Sequence, residues 1–205
     1  MMHKLLTLGI TILTGSTLAA CGNTKQAPSK ASQATTSSKQ QSGGISLANY
    51  ETIKVALPNL GSATSEAEVK KLLGKPDQET KTTVTGLDQQ ATQYGWTNVG
   101  KGLTGATVTV SIYDGKAVAK GYANASLTTN SKITASSLSA IKTGTSLDTV
   151  KAKLGKPNGE VLSGAGALSS QLLTYTNIKG EKAGASVSFT FTANKLVSMT
   201  KTGFN

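Results

Sequence analysis

The chain has 205 residues and a formal net charge of +11, with 37% hydrophobic, 4% aromatic and 15% charged residues. Charge is well below the roughly 25% of an average globular protein, and Ser and Thr, about a quarter of the chain, take its place. One Cys excludes a disulfide framework and a Cys-based metal site. One His, His3, falls in a segment read below as removed, which leaves no catalytic triad.

The basicity is carried entirely by Lys, with no Arg. Arg suits bidentate phosphate and base contacts, whereas Lys is a mobile point charge, so the composition argues against nucleic acid as a partner. Diffuse attraction to anionic lipid headgroups or wall polymers, or a surface merely held soluble, are the readings that fit.

The N-terminus begins with His3 and Lys4, and Leu5 to Leu18 follow without a charge. That run is short for a bilayer span and right for the core of a signal peptide. It ends Leu18-Ala19-Ala20-Cys21-Gly22. Small residues followed at once by Cys resemble the lipobox of bacterial lipoproteins. The resemblance implies residues 1–20 as a lipoprotein signal peptide, cleavage between Ala20 and Cys21, and lipid on the Cys21 sulfur. The expected location is the extracytoplasmic face of the cell membrane, lipid-anchored. Each buried CH₂ contributes about 0.8 kcal/mol, so two or three acyl chains anchor stably where one does not.

Residues 21–47 then read as the lipidated Cys and a disordered linker: from Gly22 to Gly44 there is no aromatic and no Ile, Leu or Val. Such a segment cannot offset the entropy of ordering, and its flexible reach is roughly 25 Å.

Past residue 45 the chain is written twice. Val69-Lys70-Lys71-Leu72-Leu73-Gly74-Lys75-Pro76-Asp77 returns as Val150-Lys151-Ala152-Lys153-Leu154-Gly155-Lys156-Pro157-Asn158, and Tyr94 returns as Tyr175. Val108-x-Val110-x-Ile112 returns as Val187-x-Phe189-x-Phe191, and Lys116-x-Val118 as Lys195-x-Val197. The spacing divides the chain into repeat 1 (48–123), a connector (124–133) and repeat 2 (134–205).

Each copy opens helical. Ser65-x-x-Glu68 and Thr145-x-x-Asp148 are capping-box patterns, and the apolar residues behind them fall at helical spacing. Gly74 and Gly155 predict left-handed stops, and Pro76 and Pro157 forbid continuation. Shorter helices are expected around Ala48–Val55 and Ser136–Lys142. The period then changes to two: Thr107–Tyr113 and Ser186–Thr192 predict half-buried strands, with hairpin turns at Asp114-Gly115 and Ala193-Asn194. The predicted class is α+β: two tandem repeats, each one or two short helices packed on one face of an antiparallel sheet. The Ser/Thr-rich other face meets solvent or a partner.

This layout, with a Gly-Lys-Pro stop and an aromatic-bearing strand behind it, resembles the tandem fold of the β-lactamase-inhibitor proteins. Each repeat is also similar to the SmpA/OmlA (BamE) domain of outer-membrane lipoproteins. The resemblance covers roughly residues 48–205 and implies two α/β repeats side by side, with an open sheet face able to dock another protein. The inhibitors have internal disulfides, which this chain lacks the Cys to make. No inhibitory-loop residue can be matched, so β-lactamase inhibition is not carried over.

Other motif matches carry no chemistry. Gly100-Lys101-Gly102-Leu103-Thr104-Gly105 fits the dinucleotide pattern but precedes a strand, so no helix N-terminus awaits a pyrophosphate. Ser139-x-x-Lys142-Thr143-Gly144 and Ser198-x-x-Lys201-Thr202-Gly203 mimic penicillin-binding-protein motifs, but each overlaps two motifs that those enzymes keep apart. The carboxylates are scattered. No enzyme activity, cofactor or metal is expected.

Tyr94 and Trp96 share one strand face and read as core, with an aromatic anchor for a ligand as the alternative. Tyr113 alternates with Thr109 and Ser111 on the polar face, and these three are the candidate partner contacts. The functional expectation is a non-catalytic binding module for a protein or an anionic wall polymer. A structural or assembly lipoprotein of an envelope complex, or an inhibitor of a secreted hydrolase, are the alternatives.

Overall fold

The computed structural model describes residues 43–126 and 132–204, which fall in one compact unit, Ser37–Asn205. The expected signal peptide, Ala20, Cys21 and the linker up to residue 42 lie outside the described residues, as does half of the connector, 127–131.

Two short helices, α1 (Leu47–Thr52) and α2 (Glu66–Leu73), precede four strands: β1 (Gln78–Thr82), β2 (Ala91–Trp96), β3 (Thr107–Tyr113) and β4 (Lys116–Ala123). The same order then recurs: α3 (Ala135–Ser139), α4 (Leu147–Leu154), β5 (Gly159–Ser163), β6 (Ser170–Tyr175), β7 (Ser186–Thr192) and β8 (Lys195–Thr202). All eight strands form one antiparallel sheet in sequential order β1 to β8. The β4–β5 pairing, from Ala119↔Ser163 to Tyr122↔Glu160, joins the two halves without a break.

The helices form because their ends are satisfied and one stripe is apolar. Ser65 Oγ accepts from the Glu68 N–H at 3.3 Å and caps α2. The cap of α4 is Ser146, one residue later than the expected Thr145: Ser146 Oγ accepts from Thr149 N, while Thr145 Oγ1 is taken by Lys142 N. Val69 and Leu73 of α2, and Leu147, Val150 and Leu154 of α4, are buried. Fully burying such a side chain contributes about 1.5–3 kcal/mol.

Gly74 and Gly155 end the two helices at φ/ψ of 83/−166° and 87/−160°. Positive φ is as expected, but the ψ values are extended rather than left-handed helical, a region essentially confined to Gly. An aromatic residue then seals each stop. Trp96 Nε1 donates to the Gly74 carbonyl at 3.1 Å, and the Tyr175 hydroxyl to that of Gly155 at 3.0 Å.

One core lies under each helix pair. Tyr50, Val69, Trp96, Val108 and Val110 belong to the first, and Val150, Leu154, Tyr175, Phe189 and Phe191 to the second. Ile45 and Leu47, assigned from sequence to the linker, are 3% and 6% exposed and belong to the first core. They are held by the β2–β3 loop, through Ile45 N→Asn98 O and Leu47 N→Lys101 O.

Each half also carries a β-bulge at the same place. Ile112 pairs with Ala117 and Ser111 with Ala119, which leaves Val118 over; Phe191 pairs with Leu196 and Thr190 with Ser198, which leaves Val197 over. The bulge reverses the alternation of β4 and turns Lys120 and Tyr122 toward the helices.

Candidate binding face

The sheet face away from the helices is built by register. One row crosses all eight strands: Gln78, Gly95, Thr109, Gly121, Val161, Leu172, Thr190 and Ser198. Neighbouring positions on this face are Thr174, Ser188 and Thr200 on one side, and Ser163, Ser170 and Thr192 on the other. Among the described strand residues, the register places charge on this face only at the hairpin turns, where Lys116 pairs with Tyr113 and Lys195 with Thr192. In a chain of net charge +11, the absence of charge along three rows sets this surface apart.

The face is not equally open. Over the first half the β1–β2 loop carries Val84 and Leu87 onto Ala91, Val118, Ala119 and Tyr113, together with Leu57 from the segment after α1. This corrects the expected contact set. Ser111 is 2% exposed, opposite Ala119, with Gln93 Nε2 reaching its hydroxyl at 3.4 Å; it is not available to a partner. Tyr113 is half-buried against that small cluster, and Thr109 is half-buried in the central row.

Over the second half Val161, Leu172, Thr174, Ser188 and Thr190 are half-buried, Thr192, Ser198 and Thr200 are exposed, and neither Val161 nor Leu172 belongs to a core cluster. Sequence reasoning missed Val161 and Leu172; adjacent Leu172 and Leu173 give no sign of which faces outward, and the strand pairing buries Leu173 and sets Leu172 beside Val161. Tyr94 and Trp96 are 7% and 1% exposed on the helix side, so they are core. The Tyr94 hydroxyl donates to the Glu66 carboxylate at 2.7 Å.

Behind the face, at the seam of the halves, sits a buried polar cluster. The Lys120 ammonium, on a residue 7% exposed, donates to the carbonyls of Tyr50 (3.0 Å) and Ile53 (2.7 Å) at the end of α1 and lies 4.5 Å from the Tyr50 ring centre. Glu160, 3% exposed, accepts from the Tyr50 hydroxyl at 3.2 Å and from the Lys151 ammonium of α4. The Tyr122 hydroxyl donates to the Pro157 carbonyl at 3.1 Å. Thus α1 and β4 of the first half and α4 and β5 of the second meet at one set of hydrogen bonds. Removing Glu160 leaves the buried Tyr50 hydroxyl without its acceptor.

Burial pushes the Lys120 ammonium down to about 8, against the pull of Glu160. Burial, with the charge of Glu160 second, raises the hydroxyls of Tyr50, Tyr122 and Tyr175 above their ordinary value. Between about pH 8 and the ordinary lysine value near 10.5, the unfolded chain holds a proton that folded Lys120 has lost, so stability rises with pH. Above about pH 10 the unfolded tyrosines lose protons that the folded ones keep, and stability falls. Urea midpoints measured from pH 7 to 11 should pass through a maximum near pH 10, and Lys120→Met should remove the rise. A midpoint that falls steadily from pH 8 in the wild type would contradict this.

Among the described residues no group of three His, Cys, Asp or Glu could hold a metal, and no helix is long and apolar enough to cross a membrane. The Gly100–Gly105 segment lies in the β2–β3 loop and precedes β3; it packs beside the start of α1, where the Leu47 N–H donates to the Lys101 carbonyl at 3.1 Å.

The chain is similar in fold to a solved structure from Streptococcus mutans described as a "putative beta-lactamase inhibitor protein". The TM-score is 0.64 at 20% identity, over 77% of this chain and 95% of that one. No curated protein matches it. Residues 47–204 match one family, and the chain belongs to it: DUF3862, a domain of unknown function with a solved structure.

Proposed function

We propose that the protein is a membrane-anchored, non-catalytic binding module whose uncharged sheet face takes a protein partner. The observation that carries this reading is the half-buried aliphatic pair Val161 and Leu172, outside both cores and at the centre of a face whose only strand charges lie at its hairpin edge. Aliphatic side chains ringed by Ser and Thr fit the core and rim of a protein interface; a polyanion would need lysines there. The helical side supplies rigidity through the two cores and the seam.

Three further readings belong with it. The recurrence of caps, Gly-Pro stops, bulges and hairpins at one spacing supports two tandem repeats from a duplicated unit. The lipobox-like Leu18–Cys21 supports lipid attachment at Cys21 on the extracytoplasmic face. The likeness to the Streptococcus mutans structure supports a secreted hydrolase as one class of partner, with an envelope assembly as the other.

Leu172→Glu places a charge on the face without entering a core. Immobilised wild-type protein should capture a partner from native envelope extract, and Leu172→Glu should reduce that capture at least tenfold with an unchanged melting curve. Equal capture by both, or none by either, would overturn the reading. For the anchor, Cys21→Ala should abolish metabolic fatty-acid labelling and release the protein from the membrane fraction; unchanged labelling would contradict lipidation there.

A further inference from the structure

The two ends of the sheet differ in charge. At one end lie the hairpin turns and the N-termini of α2 and α4, brought there by the Ser65↔Lys116 and Ser146↔Lys195 bridges. Carboxylates and lysines balance there: Glu66, Glu68, Asp88, Asp114 and Asp148 against Lys54, Lys81, Lys116, Lys142 and Lys195.

The opposite end carries the C-termini of both long helices, the β2–β3 and β6–β7 loops and the last turn of β8. Lys71 and Lys75 lie at or after the end of α2, and Lys153 and Lys156 at or after the end of α4. Lys101 stands in the β2–β3 loop, Lys179 and Lys182 in the β6–β7 loop, and Lys201 near the end of β8. All eight are exposed, with Asp77, Glu79 and Glu181 as the carboxylates nearby.

The two loops are tied to this end by hydrogen bonds. Asn158, just past α4, accepts from Thr176 N at the start of the β6–β7 loop, and Asp77 accepts from Thr97 N at the start of the β2–β3 loop. A negative helix end explains a lysine in each last turn, but not those in the loops or on β8.

This is also the end at which the chain arrives. Ile45 pairs in parallel with Val99 of the β2–β3 loop, so the expected linker from Cys21 enters the fold beside the lysines. We infer that this end is a docking surface for an anionic phospholipid bilayer, which sets the domain upright on the membrane with the uncharged sheet face turned sideways to a partner. The choice of a bilayer over another polyanion rests on the anchored reading, because a tether attached at this end brings these lysines to the headgroups. Lysines act there as point charges summed over the surface, without a built pocket.

The test uses the chain from Gly22 to Asn205. It contains the whole compact unit and the family match, and it lacks the acylated cysteine, so vesicle binding is read apart from the anchor. Sedimentation with vesicles of phosphatidylcholine alone is compared with vesicles containing about one-third phosphatidylglycerol. The wild type should bind the anionic vesicles at least tenfold better and lose that binding as salt rises from about 50 to 200 mM. Reversal of Lys153, Lys156, Lys179 and Lys182 to Glu should abolish the preference. The same reversal of Lys54, Lys116, Lys142 and Lys195, equal in net charge, should keep binding within about twofold. If the first set melts early, Lys→Gln at the same four positions replaces it.

Equal loss in both sets would show a net-charge effect and overturn the inference, as would the absence of an anionic preference. Binding to a soluble glycerol-phosphate polymer in preference to vesicles would overturn the choice of a bilayer. Each of these outcomes leaves the Cys21→Ala result untouched, so failure of the docking surface and failure of the anchor are separable.

Discussion

Glu160→Ala should destabilise the fold by about 3 kcal/mol, the largest effect expected of a single polar substitution in this protein. Glu160 is 3% exposed and is the common acceptor for the Tyr50 hydroxyl and the Lys151 ammonium. Its removal leaves a buried hydroxyl without a partner and takes away the negative charge that faces Lys120. Breaking a buried pair by deleting one partner costs about 3–5 kcal/mol; the lower figure applies because the Lys151 side chain is 31% exposed and can turn to water. For a unit of this size the melting temperature should fall by roughly 6–12 °C. Glu160→Gln, which keeps an acceptor, should lose less than half as much. Glu79 is the counterpart on the exposed edge strand β1, and Glu79→Ala should be close to neutral. Thermal and urea unfolding of the three variants side by side decides it: equal effects at Glu79 and Glu160 would show that the seam is not a shared structural joint.

Gly74→Val and Gly155→Val should each cost about 2 kcal/mol, and by similar amounts. Nothing stands within 4 Å of a Cβ added at either glycine, so the penalty does not come from a clash. It comes from φ near +85° combined with extended ψ, a region that costs a non-glycine residue about 1–3 kcal/mol, and more for a β-branched side chain. If the backbone moved to relieve the strain, the Gly74 carbonyl would leave Trp96 Nε1 and the Gly155 carbonyl would leave the Tyr175 hydroxyl. Relief at one point therefore breaks a hydrogen bond at another. Melting curves of the two single variants should shift together. A large loss at one position with none at the other would argue against equivalent helix stops.

Much of this architecture was legible where local chemistry decides it. Gly-x-Pro after a helical stripe marks a stop whatever the surroundings. Alternating Val and Phe against Ser and Thr marked β3 and β7 to the residue. Asp114-Gly115 and Ala193-Asn194 adopt positive φ at all four positions, as type I′ turns require.

What was not legible depends on what lies beside a residue in the finished sheet. β1 is an exposed edge strand and reads QETKT, without an apolar face. β5 holds Glu160, which looks like a surface residue until β4 pairs beside it and α1 covers it. Lys120 was hidden by the bulge, because an unbroken alternation gives no sign that β4 changes phase at Val118. Ser111 sits in a polar alternation and is nevertheless covered, because a loop twenty or more residues earlier in the chain folds over it. The binding face itself was legible as a Ser/Thr-rich side of a sheet. Its centre, at Val161 and Leu172, required the order of the strands.

The central claim is that the uncharged sheet face, not the helical side, meets the partner. A photo-crosslinking residue placed at Thr190 or Ser188 tests it in intact cells, with Ala152 on the outer surface of α4 as the comparison. All three side chains reach solvent and none belongs to a core cluster. Irradiation should give a discrete, higher-mass protein adduct from Thr190 and Ser188 and none from Ala152. The same adduct from Ala152, with none from the sheet positions, would place the partner on the helices and contradict the account.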